Sequence, residues 1–192
     1  MVDCTGLENR RPARVREFES HRFRQITLGS THPLTALRLS GALAVALFIA
    51  LAWYLAPLEP GVLALQFAFT PRAFAGIVHA WPAEHLARFR AHLPVDFVLL
   101  VVYGCFGWLL ATRTAVFARC PLALQRFARW ALPLAALFDA AENALHLWLT
   151  EVPRFGTPAA YALAATASTA KWLLLLGFAA SLAYALRGPD KG

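Results

Sequence analysis

Within an apolar run from about residue 131 to 149, four polar side chains fall at Asp139, Glu142, Asn143 and His146. Their spacing of i, i+3, i+4, i+7 gathers them into an arc of roughly 100° on a helix. The remaining positions of Leu137–Trp148 are Leu, Ala, Phe and Trp. A charged side chain at mid-bilayer costs about 2.5–3.5 kcal/mol on insertion scales. A helix greasy on three sides and ionisable on the fourth therefore suits a bilayer only if the stripe faces other helices.

Composition supports the same solvent. The chain has 192 residues, 59% of them hydrophobic and 15% charged, with a mean hydropathy of +0.53. Soluble domains run nearer 45–50% apolar and about 25% charged. The formal charge of +7 raises nucleic acid as a partner. The basic residues sit beside apolar segments, however, and no zinc-finger spacing, glycine-rich phosphate loop or aromatic-basic RNA motif is present, so they read as topology signals and contacts to anionic lipid. Cys4, Cys105 and Cys120 are scattered. Their odd number and spacing argue against a disulfide framework, and Cys105, in mid-span, is expected to pack as a small hydrophobe.

The expected fold is all-α and polytopic. Four transmembrane helices are placed at about 34–56, 95–111, 131–149 and 159–186. Residues 1–33 form a basic arm in which 14–26 can make a short interfacial helix, and 187–192 form a polar tail. Between spans one and two, Thr70-Pro71 reads as an N-cap followed by proline at the first helical position. From there Phe74, Ile77, Val78 and Trp81 keep helical spacing, which predicts an amphipathic helix on the membrane surface or across the end of the bundle. Pro82 opens a second short helix with Glu84, His85, Arg88 and His92, which Pro94 is expected to end. Pro133 is placed in the first turn of span three, where proline is tolerated. The row Ala160, Ala164, Ser168 lets another helix approach span four closely.

Lys and Arg number thirteen on the side of the N-terminal arm, the 112–129 connection and the tail, and four on the other side. The positive-inside rule then puts both termini in the cytoplasm of a multi-pass cell-membrane protein.

Lys171 lies near the centre of span four. Counted outward from the turn shared by spans three and four, its depth and that of Asp139 differ by only about 3 Å at 1.5 Å rise per residue. Pairing with Asp139, or with Glu142 as the alternative, removes the cost of two isolated charges. The candidate pocket comprises Asp96, Tyr103, Asp139, Glu142, Asn143, His146 and Lys171. The competing reading is polar glue that fixes helix register. No metal site is expected, since His79, His85, His92 and His146 match no ligand spacing and the first three read as solvated loop residues. No other cofactor is expected either: a haem needs axial ligands from facing spans, and only His146 lies within one.

Phe69-Thr-Pro before the external helix, Asp96-Phe97 and Tyr103 in span two, Asp139-x-x-Glu-Asn143 in span three and Lys171-Trp172 in span four together form a pattern. It resembles a group of four-span bacterial inner-membrane proteins over about residues 58–182. That resemblance implies a four-helix fold and carries no activity.

The function expected from the residues is binding or moving a small amphiphile or lipid in an intramembrane pocket, with proton coupling as an extension. One alternative is an intramembrane isomerase or hydrolase using Asp139 or Glu142 as acid and base. The other is an accessory protein whose stripe binds a partner's helix. Expected partners are the bilayer, a small amphiphilic ligand, and a second copy or another membrane protein, with no nucleic acid.

Overall fold

The computed structural model describes residues 32–152 and 154–187. The basic arm, its proposed 14–26 helix and most of the tail lie outside the described residues. The described residues form six helices: α1 His32–Leu55, α2 Val62–Gln66, α3 Pro71–Ala80, α4 Ala83–Arg113, α5 Leu122–Leu149 and α6 Pro158–Arg187. Three of them, α1, α4 and α6, are long and apolar enough to cross a membrane. α5 has 28 residues, but the polar stripe interrupts its most apolar stretch.

The four long helices alternate in direction. Arg88 near the start of α4 reaches the carbonyl of Tyr54 at the end of α1, and Gly41 near the start of α1 meets Phe106 late in α4. Tyr103 faces Asp139 while Gly107 faces Leu132, so α4 and α5 run antiparallel. Lys171 faces Asp139 while Gly177 faces Phe127, so α5 and α6 do too. α5 lies between α4 and α6, and α1 packs chiefly on α4.

The exposed surface is strongly apolar. Leu39, Ile49, Val101, Leu137, Leu173 and Leu176 are all exposed, as expected where the surrounding solvent is hydrocarbon rather than water. Inside, a small apolar cluster of Ala44, Leu51 and Leu99 joins α1 to α4, and two larger ones lie toward the ends. One holds Leu65, Phe74, Trp81, Phe89, Leu93, Leu149 and Tyr161 at the α2–α3 end. The other holds Phe117, Cys120, Ala128, Leu132 and Phe178 at the opposite end. The polar stripe lies between them.

Several local expectations change. Pro94 does not end a helix: α4 is continuous over 31 residues, about 46 Å at 1.5 Å per residue. Pro94 is exposed, so its ring displaces no neighbour, and the helix that runs on past it buries Phe89, His92 and Leu93. Pro133 is not in a first turn, because α5 starts at Leu122. The backbone beside Pro133 is met by Gly104 and Gly107, whose missing side chains let α4 close on α5: a Cβ on Gly107 would stand 2.5 Å from that of Leu132. Cys105 is exposed, and Cys120 is the buried cysteine. Cys105 projects from α4 into a shallow apolar groove with Trp108 and Leu137, on the face away from the core.

α3 begins as its sequence indicates. Thr70 Oγ1 accepts from the Ala73 amide at 3.2 Å, with Pro71 next in the chain. The helix lies across the end of the bundle, with the Phe74 ring against His146 and Tyr161. Trp81 packs on Phe89, and its indole N–H donates to the Pro60 carbonyl at 2.8 Å. Arg90 Nη1 donates to the Leu147 carbonyl at 3.2 Å and to Thr150 Oγ1 at 3.0 Å, which satisfies an acceptor left open at the end of α5.

Candidate functional site

α5 supplies the centre of the site. Asp139, Glu142, Asn143 and His146 are all buried, so the polar arc faces the interior. α6 brings Lys171 to it through its row of small residues, in which Ala164 and Ser168 are buried. Ser168 Oγ donates to the Ala164 carbonyl at 3.0 Å.

Lys171 Nζ lies 2.9 Å from Asp139 Oδ1 and 2.6 Å from Glu142 Oε2. The first is a well-directed hydrogen bond. The second is a close ion pair without hydrogen-bond alignment. Glu142 Oε1 faces His146 Nδ1 at 3.7 Å, beyond hydrogen-bonding reach. Tyr103 donates from α4 to Asp139 Oδ2 at 3.1 Å. Asn143 Nδ2 donates to Asp96 Oδ2 at 2.7 Å. Six of the seven candidate residues therefore form two sets, Lys171 with Asp139, Glu142 and Tyr103, and Asn143 with Asp96, while His146 stands beside Glu142 without a hydrogen bond to it.

A cleft of about 730 Å³ divides the seven differently. It runs between α1 and α6, and Asp96, Tyr103, Asp139 and Lys171 reach it. Glu142, Asn143 and His146 stand behind that wall, under Phe74 of α3 in the case of His146. The opposite wall, on α1, is Ala44, Val45, Phe48, Leu51, Ala52 and Leu55, all apolar. Val45 and Phe48 on that wall are exposed, so the cleft opens on the side of the helix bundle.

Three polar residues outside the candidate set also reach the cleft. Trp172 Nε1 donates to Gln66 Oε1 at 3.0 Å, tying α2 to α6 across one end. His92 is buried on the cleft wall, not a solvated loop residue; its Nδ1 bonds to the Phe89 carbonyl. Ending the short helix at Pro94 separates His92 from span two and leaves it on the external side. With α4 continuous, His92, Asp96, Leu99 and Tyr103 keep i, i+4, i+7, i+11 spacing along one face, a signal already present in the sequence. Among the described residues no three His, Cys, Asp or Glu side chains converge as metal ligands would.

Fold and cluster together define a helical membrane protein with a buried ionic group at the wall of a lateral cleft. No protein family, no curated protein and no solved structure matches the chain.

Proposed function

We propose that this protein binds, or moves across the bilayer, a small amphiphile or lipid held in the cleft between α1 and α6. The observation that carries the reading is the distribution of polar groups in that cleft: the wall on α1 is apolar throughout, and the facing wall sets Asp96, Tyr103, Asp139 and Lys171 among Leu99, Phe106 and Leu175. Its volume falls in the roughly 300–1,000 Å³ range of small-molecule sites. An amphiphile has the matching two halves, and a mouth that opens sideways admits it from the membrane. Proton coupling extends the reading, because the cluster holds more carboxyl groups than cations.

In this reading α5 is a fourth span. It lies between two helices that can cross, and its 28 residues extend about 42 Å against a hydrocarbon core of about 30 Å. Both termini are then cytoplasmic by the positive-inside rule. Burial of the whole polar stripe favours an internal pocket over an accessory protein that offers the stripe to a partner. Engagement of both Asp139 and Glu142 with Lys171 favours binding over acid–base catalysis, since neither carboxylate is free to exchange a proton with a substrate without breaking the triad.

The test is mass spectrometry of the purified full-length protein. Wild type should carry a co-purifying amphiphile, and Val45→Trp, which fills the cleft from its apolar wall, should lose it. An amphiphile retained equally by both, or absent from wild type, removes the reading.

A further inference from the structure

We infer that the occupant of this cleft is a cationic single-chain amphiphile, a long-chain amine whose ammonium sits against Asp96 and His92 with its chain along α1. The inference rests on the cleft being an amphiphile site and adds the sign of the head group. Lys171, the cation on the polar wall, already touches two carboxylates, at 2.9 and 2.6 Å. An anionic head group would have to displace one of them and leave it buried without a partner, which is strongly unfavourable. The polar wall therefore offers no spare positive charge.

Acceptors, in contrast, are in surplus. Asp96 Oδ2 takes one N–H from Asn143, and among the described residues no cation pairs with this carboxylate. His92 stands one turn earlier on the same face of α4. Its Nδ1 bonds to a carbonyl, which can only accept, so Nδ1 carries the hydrogen and Nε2 of the neutral ring is an acceptor. Three carboxyl groups, Asp96, Asp139 and Glu142, stand against the single ammonium of Lys171. A primary ammonium brings one positive charge and three N–H donors, which is what this wall lacks. Gln66 does not compete for it, since its oxygen is held by Trp172. Val45, Phe48 and Leu51 give the alkyl chain an apolar track.

The experiment uses the full chain in neutral detergent at neutral pH, with three probes of one chain length: radiolabelled dodecylamine, dodecanol and dodecanoate. Dodecylamine should bind about tenfold tighter than dodecanol, a difference of about 1.4 kcal/mol, and dodecanoate should bind more weakly than either. Asp96→Asn should bring dodecylamine down to the level of dodecanol, and Asp96→Glu should keep the preference. The wild-type ranking needs no variant, so it decides the matter even where Asp96→Asn fails to fold. Equal binding of all three, abolished by Val45→Trp, overturns the cationic assignment and leaves the amphiphile site standing. Tightest binding of dodecanoate also overturns it, because Lys171 would then be available. Absence of saturable binding for all three removes both the assignment and the site.

Discussion

Lys171 Nζ is nearer to Glu142 Oε2, at 2.6 Å, than to Asp139 Oδ1, at 2.9 Å. One ammonium thus closes two carboxylates one helical turn apart on α5. The arrangement is asymmetric towards mutation. Losing the lysine strands two carboxylates, whereas losing either carboxylate leaves the lysine a partner.

That asymmetry sets the first prediction. Lys171→Met should lower the thermal midpoint in detergent more than Asp139→Asn or Glu142→Gln does. Adding Glu142→Gln to Lys171→Met should cost less than the sum of the two single changes. The coupling should be about 0.6–1.7 kcal/mol, the range measured for polar pairs within membranes, rather than the 3–5 kcal/mol of a pair broken inside a soluble core, because an unfolded chain in detergent also finds polar partners. Strict additivity with both carboxylates would show that the three groups share no interaction energy.

Two glycines should respond with opposite sign. A Cβ on Gly107 would stand 2.5 Å from Leu132 Cβ and 2.8 Å from Leu132 Cγ. Gly107→Ala therefore has to push α4 off α5, a change expected to cost about 1–3 kcal/mol. Gly76 is within α3 and has nothing within 4 Å of the same position, so Gly76→Ala should gain about 0.5–1 kcal/mol from lost chain entropy in the unfolded state. Thermal midpoints that move in the same direction for both would contradict the close α4–α5 contact.

The cap over the bundle depends on Trp81. Its indole reaches the Pro60 carbonyl at 2.8 Å, and the ring is 5% exposed. Trp81→Phe keeps most of the apolar contact with Phe89 and loses the hydrogen bond, for an expected loss of about 0.5–1.5 kcal/mol. Tryptophan fluorescence of a variant retaining only Trp81 should report an apolar setting. Emission like that of water-exposed indole would mean α3 does not lie on the bundle.

Whether α5 crosses the membrane can be read from its two ends. Cys120 is unsuited to thiol labelling, being 6% exposed. Ala118 and Gly156 are exposed at opposite ends of α5. With the three native cysteines replaced, Gly156→Cys should react with an impermeant thiol reagent in intact cells, and Ala118→Cys should react only after the cells are opened. Equal labelling of both positions in intact cells would place the two ends on one side and exclude α5 as a span.

The period of Asp139, Glu142, Asn143 and His146 contained the inward face of α5, because in a hydrocarbon solvent the ionisable side of a helix has nowhere else to go. The depth of Lys171 held the ion pair for a related reason: rise per residue is constant along both helices, so equal distances from a shared turn bring groups to one level. Thr70-Pro71 likewise started α3 through a local hydrogen bond that depends on no other element.

Tertiary packing decided the rest. Pro94 and Pro133 look like boundaries along the chain, yet both lie inside helices, since burying Phe89, Leu93 and Leu132 outweighs one missing backbone hydrogen bond. The continuity of α4 places His92 beside Asp96 on the cleft wall. Cys105 faces outward because Gly104 and Gly107 claim the α5 side of α4. The cleft exists because α1 packs on α4 and stands off from α6, leaving a wall of apolar side chains opposite one that carries the polar groups. Periodicity along one chain tells which side of a helix turns inward; the gap between two helices depends on how all the others pack around them.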